Sequence, residues 1–202
     1  MAIGEHPTVR GFPIQINETD PPCFSGDVAG GNLAAATGVV SNPENAAVIG
    51  NICSFGLESA LPIYETADLV TLSGSATGDF LPSLGPDVFN RTAVDDPNFD
   101  AWYALVTALP SDLAFQQDYQ TEFGAPPPAF TDLNFEAASL LLSDLRKLSR
   151  IVNGNLVIDQ AALTKAVRNT TNYQGVTCTV TLDPSTGNRV DDPTSLARCA
   201  QG

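Results

Sequence analysis

The period of hydrophobic positions changes several times along the chain, and each change marks an expected element. Residues 46–50 (AAVIG) form a brief apolar run that stops at a glycine, which predicts a buried strand. Ser54 follows at the expected start of a helix, where Leu57, Ala60, Leu61 and Tyr64 recur at helical spacing. A second apolar run, Leu69-Val70-Thr71-Leu72, ends in the small polar turn Ser73-Gly74-Ser75-Ala76-Thr77. Strand, helix and strand in this order predict a βαβ unit. Both polar turns then lie at the carboxyl ends of neighbouring parallel strands, where open α/β sheets bind ligands. Small hydroxyl residues beside free N–H groups at a helix start favour an anion such as a carboxylate.

The flanking segments extend this pattern. Residues 11–17 (GFPIQIN) alternate apolar and polar positions and predict a strand. Residues 28–40 (VAGGNLAAATGVV) predict a small-residue helix, stopped by Ser41-Asn42-Pro43. Residues 87–92 (DVFNRT) predict a short strand. Beyond Asp95-Asp96-Pro97 the pattern becomes helical. Trp102, Leu105, Val106 and Leu109 form one stripe, and Phe115, Tyr119 and Phe123 another, closed by Gly124. Thr131 is the expected cap of a helix bearing Phe135, Ala138, Leu142 and Leu145, with Arg146, Lys147 and Arg150 toward its end. Asp159 is the expected cap of residues 160–168. Residues 175–182 (GVTCTVTL) predict a strand that turns through DPSTG and returns at Asn188-Arg189-Val190 as a hairpin. The expected fold class is α/β: a parallel sheet flanked by helices, with a C-terminal β-hairpin.

Composition narrows the function classes. The chain is 43% hydrophobic and 16% charged, as expected of a folded globular protein. Its net charge of −14 argues against nucleic acid and anionic membrane surfaces as partners. No apolar run approaches the ~18 residues of a membrane span, so no membrane insertion is expected. The stretch MAIGEHPTVRG lacks the charged-then-apolar pattern of a signal peptide. Four cysteines fall into two pairs by proximity, Cys23 with Cys53 and Cys178 with Cys199. None has CxxC spacing and the only histidine is His6, so no metal site is expected. Two structural disulfides in an oxidising compartment are one reading; four buried free thiols are the other. The carboxylate pairs Asp95-Asp96 and Asp191-Asp192 read as solvated loop charge. No GxSxG, HExxH or P-loop pattern occurs, so no catalytic residues and no cofactor are expected.

Several segments, in order, resemble the type I periplasmic binding proteins, in particular the receptors of branched-chain amino acid and amide ABC transporters. Cys23 in DPPC, followed by a helix and VIGNICS, resembles the family's disulfide between a strand's exit loop and the next turn. ALPIYETADLVTLSGSAT resembles its helix and strand ending in a Ser-Ala-Thr turn. VFNRT resembles its crossing strand, YQTEFGAPPPAFTDLNFEAASLLLSDL its return segment, and ALTKAVRNTTNYQGVTCTVTLDPSTGNRV its closing segment. The resemblance implies one Rossmann-like lobe over residues 1–202, divided into a βα part (1–94) and a helical return segment with hairpin (95–202). It implies a solute-binding, non-enzymatic component of an ABC importer for branched-chain or related amino acids. Its partners would be a small amino acid or amide and an ABC permease, in the periplasm or outside the cell.

The same resemblance places a ligand's α-carboxylate on Ser54 and Thr77 and its α-ammonium on the Ser75 carbonyl. Plain helix capping is the other role for these hydroxyls. The chain departs from the family where the return segment follows VFNRT within about thirty residues. Most of the second lobe, and the first strand and helix of the first, are therefore expected to be missing. The expectation is weak amino-acid binding, or none, by a half-site. The competing reading is an interaction or assembly protein, forming homo-oligomers through an exposed sheet edge or the lobe face.

Overall fold

The computed structural model describes residues 8–201 except 96, 98 and 192. Residues 1–7, His6 among them, and Asp96 and Asp192 of the carboxylate pairs lie outside the described residues.

The chain opens with an antiparallel hairpin, β1 (Thr8–Val9) and β2 (Phe12–Pro13). Arg10 (φ 51°) and Gly11 (φ 85°) form its two-residue turn, the positive-φ geometry that matches strand twist. The strand expected over residues 11–17 is therefore cut short. Only its start pairs, because Pro13 has no N–H to extend the ladder. Helix α1 (Val28–Ser41) is capped by Asp27, whose carboxylate accepts from Gly30 N–H at 2.9 Å.

Strand β3 (Val48–Ile49), helix α2 (Ser54–Thr66), strand β4 (Thr71–Ser73) and strand β5 (Phe89–Arg91) form the expected βαβ core. The sheet order is β3-β4-β5, all parallel, with Ile49 beside Leu72 and Leu72 beside Asn90. Alternation along β4 explains the layers. Leu69 faces α1 and α2, joining Leu57, Ala60, Leu61, Tyr64 and Phe89 in one core cluster. Val70 and Leu72 face the other side, packing with Leu140, Leu141, Leu145, Leu163 and Val167.

That second face is covered by α5 (Thr131–Leu148), reached through α3 (Phe99–Val106) and α4 (Pro110–Phe123). Leu105 leaves the predicted stripe and is 62% exposed, because α3 ends one residue later and only Trp102, Val106 and Leu109 turn inward. Thr131 does not cap α5. Phe130 holds the cap position in a left-handed conformation (φ 66°), and the Thr131 hydroxyl donates back to the Pro128 carbonyl at 2.7 Å. Arg150 lies past the helix in β6 (Arg150–Val152), which pairs with β7 (Asn155–Val157) through the left-handed turn Asn153-Gly154. Helix α6 (Gln160–Arg168) follows, and Asp159 caps it by accepting from Ala162 N–H at 3.0 Å.

The C-terminal hairpin is present, in a divided form. Strand β8 (Tyr173–Gly175) pairs with β9 (Cys178–Val180) around Val176-Thr177, and the predicted return survives as one antiparallel bridge between Leu182 and Arg189. Helix α7 (Pro193–Cys199) ends at the Cys178–Cys199 disulfide; Cys23–Cys53 forms the other. No helix among the described residues is long and apolar enough to cross a membrane.

Candidate functional site

The carboxyl ends of β3 and β4 carry two turns, and three interactions bring them together. Ser73 Oγ donates to the Asn51 carbonyl at 3.0 Å, tying the end of β4 to the turn after β3. The same oxygen accepts from Ala76 N–H at 3.0 Å and Ser75 N–H at 3.3 Å, folding the Ser-Gly-Ser-Ala turn over itself. Ser54 Oγ accepts from Gly78 N–H at 3.0 Å, bridging from the start of α2 to the end of that turn.

Buried supports fix this frame from behind. The Cys23–Cys53 disulfide fastens the β3–α2 turn to the loop before α1. Asn32, 1% exposed on α1, accepts from the Asn51 amide and donates to the carbonyls of Pro22 (2.9 Å) and Val28 (2.8 Å). A Cβ at Gly56 would stand 2.7 Å from the Asn32 amide oxygen, so this contact requires glycine. Gly74 is equally constrained: a Cβ there would meet the backbone of Leu133 and Asn134 at the start of α5. Arg91, fully buried at the end of β5, donates Nη1 to the carbonyls of Gly78 (3.0 Å) and Ala76 (3.3 Å).

The three residues singled out from the sequence all sit on this frame. Ser54 is half-buried as the first residue of α2, Thr77 is half-buried next to the Ser54–Gly78 bridge, and Ser75 is 7% exposed with its hydroxyl unpartnered. Cys53 holds the cap position of α2 without a side-chain hydrogen bond, since its sulfur is in the disulfide. The first bond of the helix runs from Leu57 N–H to the Cys53 carbonyl at 3.1 Å. The N–H groups of Ser54, Phe55 and Gly56 therefore have no partner within the helix. Arg91 occupies the carbonyls of Ala76 and Gly78, while no donor among the described residues reaches that of Ser75. The rim is apolar and open: Phe24 is 87%, Ile52 71% and Phe55 64% exposed.

Sequence reasoning missed Ser73, Asn32 and Arg91. The signal for Arg91 was present: an arginine inside an apolar strand must bury its guanidinium or face a ligand. It also missed two buried acidic groupings. Glu136 accepts from Thr177 N–H and Oγ1, both at 2.7 Å, and from Arg189 Nη1 at 3.1 Å. Burial pushes the Glu136 carboxyl up, while Arg189 and Thr177 pull it back toward the charged form. Asp112 and Asp132 line a cavity of ≈ 240 Å³ between α3, α4 and α5. Among the described residues, no group of three or more acidic, histidine or cysteine side chains is placed to hold a metal ion.

No protein-family model matches the chain, and no curated protein matches it significantly. Solved structures do. The leucine-binding protein LivK from Thermotoga maritima superposes with a TM-score of 0.74 at 13% identity, over 94% of this chain and 86% of that one. An ABC transporter substrate-binding protein from Desulfitobacterium hafniense, in complex with Leu, gives 0.71 at 16% identity, over 91% and 88%. The branched-chain amino acid transporter substrate-binding protein LivJ from Streptococcus pneumoniae, in complex with isoleucine, gives 0.69 at 12% identity, over 91% and 83%. At these identities the likeness is one of fold: the parallel sheet, its flanking helices and its C-terminal hairpin are those of a lobe of the type I periplasmic binding protein fold.

Proposed function

We propose that this chain is a solute-binding lobe of an ABC importer for branched-chain or related amino acids, carrying a half-site for the α-carboxylate and α-ammonium. The carrying observation is the Ser54–Gly78 hydrogen bond, which sets an uncapped helix N-terminus against the Ser75–Thr77 turn. A carboxylate there accepts from the first-turn N–H groups of α2, from the Ser54 hydroxyl, and from the Thr77 N–H and hydroxyl. Ser54 Oγ can serve while accepting from Gly78, because a hydroxyl has one proton and two lone pairs. The ammonium, which has only donors, goes to the Ser75 carbonyl. Phe55 and Ile52 offer an apolar rim to a branched side chain.

The reaction is capture and release, with no bond made or broken. Two disulfides suit an extracytoplasmic compartment, and an ABC permease would be the downstream partner. A ledge open to water screens its charges, so a single lobe holds the zwitterion weakly. Calorimetric titration with leucine, valine and small amides tests this. Weak, millimolar heats that vanish in Ser54→Ala support the half-site; submicromolar binding overturns it.

A second reading, an interaction protein built on one lobe, is favoured by the exposed trio Phe24, Ile52 and Phe55 around the disulfide. Light scattering decides between them. A monomer that binds leucine fits the receptor, and a stable assembly that binds none fits the interaction protein.

A further inference from the structure

We propose that the end of the molecule formed by the C-terminus of α5 and the β6–β7 hairpin is a docking surface for an anionic lipid membrane, separate from the candidate amino-acid site. The carrying observation is a segregation of charge. The chain has nine lysines and arginines against 23 aspartates and glutamates. Arg91, Arg168 and Arg189 are buried. Six cations are exposed, and apart from Lys165 and Arg198 they share one place: Arg10, Arg146, Lys147 and Arg150. Arg146 and Lys147 lie in the last turn of α5, and Arg150 opens β6. Arg10 joins them across the fold by donating Nε to the Ser149 carbonyl at 2.6 Å. Lys147 is paired with Asp144 at 3.1 Å, yet its side chain remains 66% exposed. Among the described residues, no carboxylate comes within ion-pair distance of Arg10, Arg146 or Arg150.

Two of these cations suit the carboxyl end of a helix, where they offset its dipole. Arg10 and Arg150 stand outside the helix, so the dipole does not account for them. Nor does it account for what lies beside them. Ile151 is 54% and Val152 42% exposed, at the approach to the Asn153-Gly154 turn. Neighbours along a strand point to opposite faces, so the hairpin shows aliphatic surface on both sides, next to the cations. A flat protein surface covers only one face of such a hairpin; a lipid layer receives both. The aliphatic groups enter the headgroup layer while the cations meet the lipid phosphates.

The net charge of −14 argues against such a surface only as an average over the chain. Exposed charges more than about 8 Å apart are largely screened at physiological ionic strength, so the cations at the contact act and remote carboxylates do not. Asp159, the first acid in sequence beyond the hairpin, is occupied in capping α6. The fold also sets the orientation. Helix α5 has 18 residues and is about 27 Å long. Its first turn meets the Gly74 turn, and its last turn carries the cations. Docking by this end therefore holds the face bearing Ser54 and Thr77 away from the membrane and open to solute.

Flotation of the whole chain with lipid vesicles tests the surface. Vesicles of phosphatidylglycerol and phosphatidylcholine in equal parts should carry the protein at low salt, and phosphatidylcholine alone should not. Raised salt should release it. Each cation at an anionic surface is worth about fivefold in affinity, so Arg146→Gln/Arg150→Gln should weaken binding about 25-fold. Ile151→Ser/Val152→Ser should weaken it as well. Phe24→Ser, which removes the exposed ring beside the Cys23–Cys53 disulfide, should leave it unchanged. All these side chains are exposed, and an unchanged melting temperature verifies each variant. If a variant fails to fold, the lipid preference and salt release of the native chain must still appear. Equal binding to phosphatidylcholine alone, indifference to salt or to the arginine changes, loss in Phe24→Ser, or no vesicle binding each overturn the proposal. Retention on immobilised poly-glutamate without vesicle binding assigns the surface to an acidic protein and overturns it equally.

Discussion

Ser54 Oγ accepts the Gly78 N–H at 3.0 Å across two turns that are 24 residues apart in sequence. This bond is internal to the protein, yet it uses only a lone pair of the Ser54 hydroxyl, whose proton can rotate to donate to a ligand at the start of α2. Ser54→Ala should therefore cost little stability, about 1 kcal/mol by urea denaturation, while removing most of the calorimetric signal with leucine. A variant that loses stability without losing ligand binding would reassign Ser54 to capping.

Arg91→Met should be more damaging than its central, apolar-looking position suggests. It would strip the Ala76 and Gly78 carbonyls of their buried donor, at about 1–3 kcal/mol. Hydrogen exchange should accelerate at the Ala76 amide, which is protected by Ser73 within the same turn.

Arg189→Met removes the counter-charge of Glu136, which at 1% side-chain exposure keeps only Thr177 as a partner, so a loss of about 3–5 kcal/mol is expected. Adding Glu136→Gln should restore part of it. Urea titration of the two single variants and the double variant measures that coupling, and simple additivity would refute it.

The Asp112 carboxyl titrates at about 7 against an ordinary 3.8. The native state thus binds its proton more tightly than the unfolded chain. Unfolding free energy should fall as pH rises from 3.8 toward about 7 and level off above, at up to about 1.4 kcal/mol per pH unit from this group. Asp112→Asn should flatten that slope in urea denaturation across the same range.

Reducing the disulfides should lower the melting temperature markedly. The separations of 30 and 21 residues correspond to about 3–4 kcal/mol each by loop entropy. Cys23→Ser/Cys53→Ser should also weaken leucine binding, because it frees the turn carrying Ser54; Cys178→Ser/Cys199→Ser should not.

Much of the fold was legible because local pattern and global role agreed. Residues 46–77 read correctly as strand, helix and strand, since Leu57, Ala60, Leu61 and Tyr64 all face one cluster. Asp159 was recognisable as a cap from its position alone. Elsewhere local signals were overridden. Residues 11–17 alternate like a strand, yet Arg10-Gly11 turns the chain sharply and Pro13 closes the ladder. Asn153-Gly154 is a strong hairpin signal, but the pattern of the helices on either side masks the two three-residue strands it joins. The frame behind the site was harder to see. Ser73, Asn32 and Arg91 act through contacts made only on folding, at separations no periodicity reveals. No periodicity around Asp112 and Asp132 distinguishes them from solvent-facing helix acids, and only the packing of three helices hides them.

The Arg189 guanidinium touches Thr92, Glu136, Thr177 and Asp191, and stacks 4.8 Å from the Trp102 ring. These groups come from segments spread over half the chain, so one guanidinium ties the end of β5, α5 and the C-terminal hairpin together. Residues 178–199 therefore cannot peel away from α5 without stranding the buried Glu136 carboxylate, and the Cys178–Cys199 bond limits how far they can move.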